Sequence, residues 1–216
     1  VVQRRHLEKA LAVRGFEVDD LQNVRQRLAD VDKADGDQHE RHIVGKGERR
    51  HRAAEERAAQ EALTRIQTEQ TIAPTTAPTS APAPSETPPQ MFAYAQELLQ
   101  TNGDLVGMVG FDDMTLYVCQ GEDNTFYASH RFDGSEDPAG MIYMDCRCSA
   151  WPLGQNTILY GHNMRDGSRF GKLNRMTDAE YLAEHPYVRY ASLYEIRDYR
   201  PIAVFYANVD PTAADY

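Results

Sequence analysis

The sequence has no run of 18 consecutive apolar residues, and no signal-peptide apolar segment stands at its polar N-terminus. These absences exclude a membrane-spanning helix and a secretory signal within the 216 residues. The chain begins with Val1 and not methionine, which is compatible with a longer protein that has a segment before Val1.

Basic residues are scarce in the second part of the chain. Residues 71–216 contain 9 Lys and Arg against 19 Asp and Glu, whereas residues 1–70 contain 14 of each kind. The formal net charge of −10 therefore arises entirely after residue 70. An acidic surface repels a phosphate backbone and disfavours flat docking onto anionic lipid. The charge distribution therefore predicts no nucleic-acid partner.

Cysteine is also scarce, with only Cys119, Cys146 and Cys148. Three residues make no disulfide framework, and a lone C-x-C without neighbouring Cys or His lacks the spacing of a zinc site. Four of the seven histidines fall within residues 1–70, but no Cys or carboxylate pair stands at ligand spacing beside them. We therefore predict no metal and no other cofactor, and we interpret the cysteines as small apolar strand residues.

Composition divides the chain into three parts. Residues 1–70 are polar and helix-prone, with a charged loop predicted at 33–52 and an Ala-, Glu- and Arg-rich helix at 48–70, and we expect a helical or disordered extension. Residues 71–90 hold six prolines, five threonines and no aromatic residue, which predicts an extended linker. Apolar residues concentrate after residue 90, so residues 91–216 should form the folded domain.

Short strands separated by turn signals make up this folded part. Residues 91–102 predict a short amphipathic helix, and Asp112 and Asp113 predict a tight hairpin between the first two strands. A helical stretch is expected at residues 170–184, with Thr177 capping its second half. The predicted strands are residues 105–111, 114–120, 140–144, 157–161, 187–194 and 201–209. Many short strands with inserted helices predict a mainly β barrel or sandwich decorated by helices.

One histidine has the position of a catalytic residue. Residues 157–160 read as a buried strand that ends at Gly161, which places His162 at the strand mouth. The polar turn at residues 163–168 leaves its imidazole reachable from solvent, where it can take and give a proton near neutral pH. A solitary histidine at a strand end is more often structural, however, and Ser168 on the turn has no matched oxyanion donors.

The segment around His162 resembles the strand, catalytic histidine and following helix of class B sortases. It covers residues 157–173, TILYGHNMRDGSRFGKL. Other blocks in the family's order are NGDLVGMVGFDD, LYVCQGEDNTFYASHRFDG, AGMIYMDCR and QNTILYGHNM, so the resemblance covers about residues 92–216. Ordered blocks are a more specific signal than one histidine motif. Three positions depart from the family's pattern: Met108 stands at a usual tryptophan, Cys119 interrupts a proline-containing strand, and Cys146 replaces an aromatic residue.

The resemblance implies a sortase-like β-barrel, incomplete at its C-terminal strands, and a membrane-anchored cysteine transpeptidase. Such an enzyme cleaves the C-terminal sorting signal of a secreted protein and joins the new carboxyl end to a cell-wall peptide amine. A cysteine thiolate attacks, a histidine protonates the leaving amine, and an arginine donates hydrogen bonds to the charged intermediate. The implied location is the extracellular face of the bacterial membrane or the cell wall, with membrane contact only through an anchor missing from this chain.

Of the three catalytic groups, the resemblance places only His162. The family's cysteine closes a T-L-S-T-C-like strand and its arginine lies on the next strand, both downstream of Tyr216. The three cysteines of this chain do not match that position. Arg147 and Arg165 are unconvincing as oxyanion donors, because a structural ion pair with Asp145 explains Arg147 more simply.

Two further residues are candidate substrate contacts by the resemblance. Asn124 lies in the DNTFY segment, and Tyr160 stands beside the histidine on its strand. Asn124 could equally cap a turn, and Tyr160 could equally fill the core.

The leading interpretation is therefore the N-terminal and central part of a class B sortase-like transpeptidase. We expect this fragment to be inactive alone and poorly stable, because missing strands leave an open barrel edge. The alternative is a noncatalytic sortase-like surface module on a proline-rich stalk, which binds peptide without cutting it. A reading frame that continues past codon 216 to the cysteine and arginine strands would favour the enzyme, and a genuine stop would favour the module.

Overall fold

The computed structural model describes residues 8–13, 46–72 and 89–205, which form a seven-stranded sheet with helices packed on both faces. The strands are β1 (Glu8–Val13), β2 (Leu105–Phe111), β3 (Met114–Cys119), β4 (Ile142–Met144), β5 (Thr157–His162), β6 (Val188–Ser192) and β7 (Ile196–Tyr199). The helices are α1 (Lys46–Ile72), α2 (Ala93–Leu99) and α3 (Ala179–Glu184), with 3-10 helices at Phe126–Ala128 and Gly171–Thr177. The predicted mainly β architecture with inserted helices is confirmed.

The sheet order is β1-β5-β4-β3-β2-β6-β7. All neighbouring strands are antiparallel except β3 and β4, which run parallel and are joined by a long crossover. The predicted hairpin between β2 and β3 is present, and its turn residue Asp112 has a φ of 55°, a conformation that aspartate tolerates better than most residues. The order places β5, and His162 at its end, between β1 and β4.

Both faces of the central strands are buried. Along β5, Ile158 and Tyr160 join a core cluster that also contains residues of α1 and α2, whereas Leu159 joins a cluster with Phe170 and Tyr181 on the other face. Because successive strand residues point to opposite faces, burial on both sides explains why these strands read as continuous apolar runs. By the same alternation, His162 lies on the face that α1 covers.

Helix α1 shares the domain core. Its residues Ala59, Ala62, Leu63 and Ile66 are buried, and their helical spacing forms one stripe in the same cluster as β3. The predicted helix at residues 48–70 is thus confirmed. The predicted loop at residues 33–52 is wrong where it overlaps α1, since the helix begins at Lys46. Arg52 is not solvated there but lies at 1% exposure.

Three other elements differ from the sequence prediction. Residues 8–13 form a strand in a stretch predicted to be helix-prone, because backbone pairing along β5 outweighs local helix propensity. Asp178, and not Thr177, caps α3, since its side chain accepts hydrogen bonds from the amides of Glu180 and Tyr181. The predicted strand at residues 201–209 is wrong over its described part: β7 comes earlier, and residues 201–205 are irregular.

Some predictions lie outside the described residues. Of the predicted linker at residues 71–90, residues 71–72 end α1 and residues 73–88 are not among those described. Residues 1–7, 14–45 and 206–216 are likewise not among the described residues, so the predictions for them are not compared with the structure. Within the described ranges, no helix has both the length and the apolarity to span a bilayer.

Candidate active site

His162 is the last residue of β5, as the apolar run before it predicted, and its side chain is half-buried. Its carbonyl oxygen accepts hydrogen bonds from the backbone amides of Met164 (3.1 Å) and Phe170 (3.0 Å). These two bonds close residues 163–169 into a loop whose base is the histidine itself. A Cβ on the preceding Gly161 would clash with the Ile142 Cδ1 methyl and lie 2.9 Å from Phe170 Cδ2, so a side chain there would force these buried neighbours to shift.

The loop after His162 is tied by its own polar groups. Asp166 Oδ1 accepts hydrogen bonds from the Ser168 amide (3.1 Å) and the Ser168 hydroxyl (2.6 Å). Asn163 forms an isolated antiparallel bridge with Arg169, and its Oδ1 accepts a 2.8 Å bond from Asn174. The bond to Asp166 occupies the Ser168 hydroxyl within a turn, which agrees with a structural role and not a nucleophilic one.

A set of buried charges connects this loop to α1, and no sequence motif predicted it. Arg52 donates to both Asp137 oxygens at 3.4 Å and to Asp166 at 3.2 Å, and Arg169 donates to Glu55 at 2.9 Å. Burial opposes ionisation of Asp137, but hydrogen bonds from the Ala139 amide and Arg131, with the charge of Arg52, lower its pKa below the ordinary value. No local signal marks these residues, because the paired charges are far apart in the sequence.

A second polar network holds the segment after β4. Asp145 is fully buried, and it accepts bonds from the Arg147 side chain (2.7 and 2.9 Å), the Arg147 amide (2.8 Å) and the Tyr160 hydroxyl (2.8 Å). The structural ion pair expected for Arg147 is therefore present. Burial opposes ionisation of Asp145, but the hydrogen bonds from Arg147 and Tyr160 outweigh it and lower the pKa to about 2.

Asn124 and Tyr160, the two predicted substrate contacts, both form hydrogen bonds to the segment after β4. Asn124 Oδ1 accepts a 2.8 Å bond from the amide of Cys146. The Tyr160 side chain is fully buried, and burial followed by its bond to Asp145 raises its pKa far above the usual range. The structure thus gives each residue a supporting role beside the histidine strand, and direct contact with a substrate stays a prediction.

None of the three cysteines forms a disulfide with another described residue, and their positions differ. Cys119 lies on β3 at 0% exposure, which agrees with its interpretation as a small apolar strand residue. Burial raises the pKa of its thiol well above the usual value. Cys146 and Cys148 follow β4 in a turn, so their interpretation as strand residues is wrong. The Cys148 sulfur accepts a bond from the Ile158 amide at 3.4 Å. Among the described residues, no group of three or more His, Cys, Asp or Glu could hold a metal ion.

The low pKa of Asp145 predicts a pH-dependent contribution to stability. Its pKa is about 2 when folded against an ordinary 3.8, so the folded state binds this proton less readily than the unfolded state. The contribution is complete above about pH 5, is lost as pH falls through 2, and amounts to roughly 2 kcal/mol. We expect the difference in unfolding free energy between wild type and Asp145→Asn, from urea titrations, to shrink by about that amount between pH 7 and pH 2.

Asp133→Asn is the matched control, because Asp133 is an exposed carboxylate that bonds only within its own turn to Ser135. Its effect should be smaller at every pH. A wild-type to Asp145→Asn difference that stays constant from pH 7 to pH 2 would contradict the assignment.

Comparison with known proteins points to one family. No family model matches the chain. Sortase B of Listeria monocytogenes serovar 1/2a is 36% identical over 99 residues, which are 45% of this chain and 40% of that protein. A crystal structure of sortase B from B. anthracis in complex with AAEK1 superposes with a TM-score of 0.53 at 28% identity, over 73% of this chain and 71% of that one. A Staphylococcus aureus sortase B–substrate complex superposes with a TM-score of 0.57 at 21% identity, over 70% and 63%.

The chain is therefore class B sortase-like in sequence and in fold, as the ordered sequence blocks predicted. Its mainly β sheet with helices matches the fold of the solved sortase B structures. It spans about two fifths of the length of the curated relatives that it matches.

Proposed function

We propose that this chain is part of a sortase-type cysteine transpeptidase in which His162 is the proton-transfer residue. The observation that carries the proposal is the position of His162: it ends β5 of a sortase B-like sheet, half-buried, at the base of a closed loop. A half-buried imidazole at a strand mouth can exchange protons with a bound peptide near neutral pH.

The proposed reaction has two steps. A cysteine thiolate, supplied by sequence outside these 216 residues, attacks a scissile peptide carbonyl, and the C–N bond breaks as His162 gives its proton to the leaving amine. A second amine then attacks the thioester, the C–S bond breaks, and the proton of that amine passes to His162. An arginine, also outside these residues, would stabilise the charged intermediates by hydrogen bonds.

The proposed substrate is the C-terminal sorting signal of a secreted protein, and the proposed acceptor is a cell-wall peptide amine. The proposed location is the outer face of a bacterial cell membrane or its wall, with attachment through an anchor outside this sequence. Asn124 and Tyr160 would contribute to substrate binding by holding the segment after β4, through Cys146 and Asp145 respectively.

A noncatalytic peptide-binding module is the second candidate. The surroundings of two of the three cysteines favour it for the 216 residues alone: Cys119 is buried with a raised pKa, and the Cys148 sulfur accepts a hydrogen bond from the Ile158 amide of β5. A thiol in such surroundings is a poor nucleophile. The chain would then bind a peptide without cleaving it.

Sequencing the gene beyond codon 216 and assaying both forms tests the proposal. If the frame continues to a cysteine strand and an arginine strand, the extended protein should cleave a fluorogenic sorting-signal peptide, and the 216-residue chain should bind without turnover. A stop at codon 217, with peptide binding and no cleavage, would favour the module and overturn the enzyme.

A further inference from the structure

Helix α1 and the loop after His162 carry complementary charges that meet in the fold. On α1, Arg52 and Glu55 are one helical turn apart and therefore share a face. On the loop, Asp166 and Arg169 have the same spacing with opposite signs. Arg52 pairs with Asp166 at 3.2 Å, and Glu55 pairs with Arg169 at 2.9 Å. Both pairs form at once only when the helix lies in this register against the loop.

These pairs differ from ordinary surface salt bridges because they are withdrawn from water. The side chains of Arg52 and Arg169 are 1% and 2% exposed, and that of Glu55 is 15% exposed. Arg52 also meets Asp137, which is 1% exposed. Among the described residues, the Nε and Nη2 atoms of Arg169 find no hydrogen-bond acceptor, so Glu55 provides the one acceptor for this guanidinium. Losing Glu55 would leave the buried Arg169 without its hydrogen-bonded carboxylate.

Arg169 is linked to the backbone of His162 through the neighbouring residues Asn163 and Phe170. Its φ of 52° lies in the left-handed region, which an arginine adopts only where surrounding contacts hold it. It bridges Asn163, the residue after His162, and it precedes Phe170, whose amide donates to the His162 carbonyl at 3.0 Å. A shift of Arg169 therefore moves both ends of the loop, and with them the end of β5.

We infer that Arg52 and Glu55 are positioning residues for His162: by pairing with Asp166 and Arg169, α1 holds the loop that sets the orientation of the imidazole. The inference rests on the proposed role of His162 in proton transfer. Neither α1 residue needs to touch a substrate. The helix on the N-terminal side of the proline-rich stretch is, on this view, a wall of the histidine site.

The test uses the full 216-residue chain and measures no turnover. NMR follows the His162 ring resonances, identified by comparison with His162→Gln, and hydrogen exchange of the Met164 and Phe170 amides. Glu55→Gln and Arg169→Gln should each shift the His162 ring resonances and speed exchange of the Phe170 amide by about tenfold or more relative to the slowest core amides. The double variant should add little to either single change, and Glu55→Asp, which keeps the carboxylate, should restore part of the protection.

Glu97→Gln is the matched control. It removes an ion pair between the same helix and α2, Arg65–Glu97 at 3.5 Å, in which both side chains are more than half exposed. Both His162 readouts should stay at their wild-type values, since an exposed pair contributes little.

Asp166→Asn serves if Glu55→Gln does not fold. The asparagine oxygen can still accept the two hydrogen bonds from Ser168, and Asp137 remains as a partner of Arg52, so the chain should stay folded and show a smaller change in the same two readouts. Folded variants whose His162 resonances and Phe170 exchange match wild type would overturn the inference. Because neither readout needs catalysis, that result is distinct from a failure of the proposed transpeptidase activity.

Discussion

His162→Ala should abolish transpeptidation of a sorting-signal peptide by the extended protein, with a loss of about 10²-fold to 10⁴-fold in kcat/KM. Without the imidazole, no group at the end of β5 gives a proton to the leaving amine, so the C–N bond breaks only with water as the acid. The measurement is the rate of peptide cleavage and amine transfer at saturating acceptor amine. A kcat/KM within about tenfold of wild type would refute the role proposed for this residue.

Binding and folding should survive the same substitution. His162 is half-buried and ends a strand, so removing its ring leaves the two core clusters on either side of β5 intact. The peptide Kd and the thermal transition should therefore change little. His185→Ala is a matched control, because this half-buried histidine lies at the end of α3 and meets Asp112 at 3.5 Å. It should leave turnover unchanged.

Residues 91–216, which lack both β1 and α1, should fail to unfold cooperatively and should associate in solution. Removing α1 uncovers the face of the sheet on which Leu63 and Ile66 are buried, and burial of these two side chains alone is worth about 3–6 kcal/mol. Whole domains are stable by only about 5–15 kcal/mol, so the loss is a large share of the total. The uncovered apolar surface should then promote association.

The charges add to this effect. Without α1, Arg169 loses Glu55, and Asp137 and Asp166 lose Arg52. Loss of these ion pairs releases the loop after His162 from its contacts with α1, and water then hydrates the freed charges, so the uncovered apolar face accounts for most of the destabilisation. Thermal unfolding followed by circular dichroism, together with size-exclusion chromatography, checks the prediction against the full chain. A cooperative transition and a monomeric elution profile for residues 91–216 would contradict it.

Local pattern was sufficient for much of the sheet. The hairpin between β2 and β3 follows from two apolar runs separated by Asp112 and Asp113, because strand and turn preferences act over a few residues. The same reasoning put His162 at a strand mouth. It was insufficient for the cap of α3, where two neighbouring residues could serve and only the backbone geometry selects Asp178.

Contacts between residues far apart in the sequence could not be predicted from these local patterns. The strand at residues 8–13 forms by pairing with β5, about 150 residues later in the chain, and no local signal overrides its helix propensity. Arg52 stands in a stretch so rich in charge that it reads as solvated, yet in the fold it is 1% exposed between two carboxylates. Charge pairing over such separations depends on packing, which composition and periodicity do not report.

By itself, the sequence determined a mainly β domain, the hairpin, the helix within residues 46–72 and a histidine at the end of an apolar strand, because each follows from short-range periodicity and turn chemistry. The tertiary structure decided where that helix goes. The apolar stripe of α1 packs on the sheet, and this packing brings Arg52 and Glu55 against Asp166 and Arg169 of the loop after His162. The surroundings of His162 are therefore a product of packing, while its position on the strand is a product of sequence.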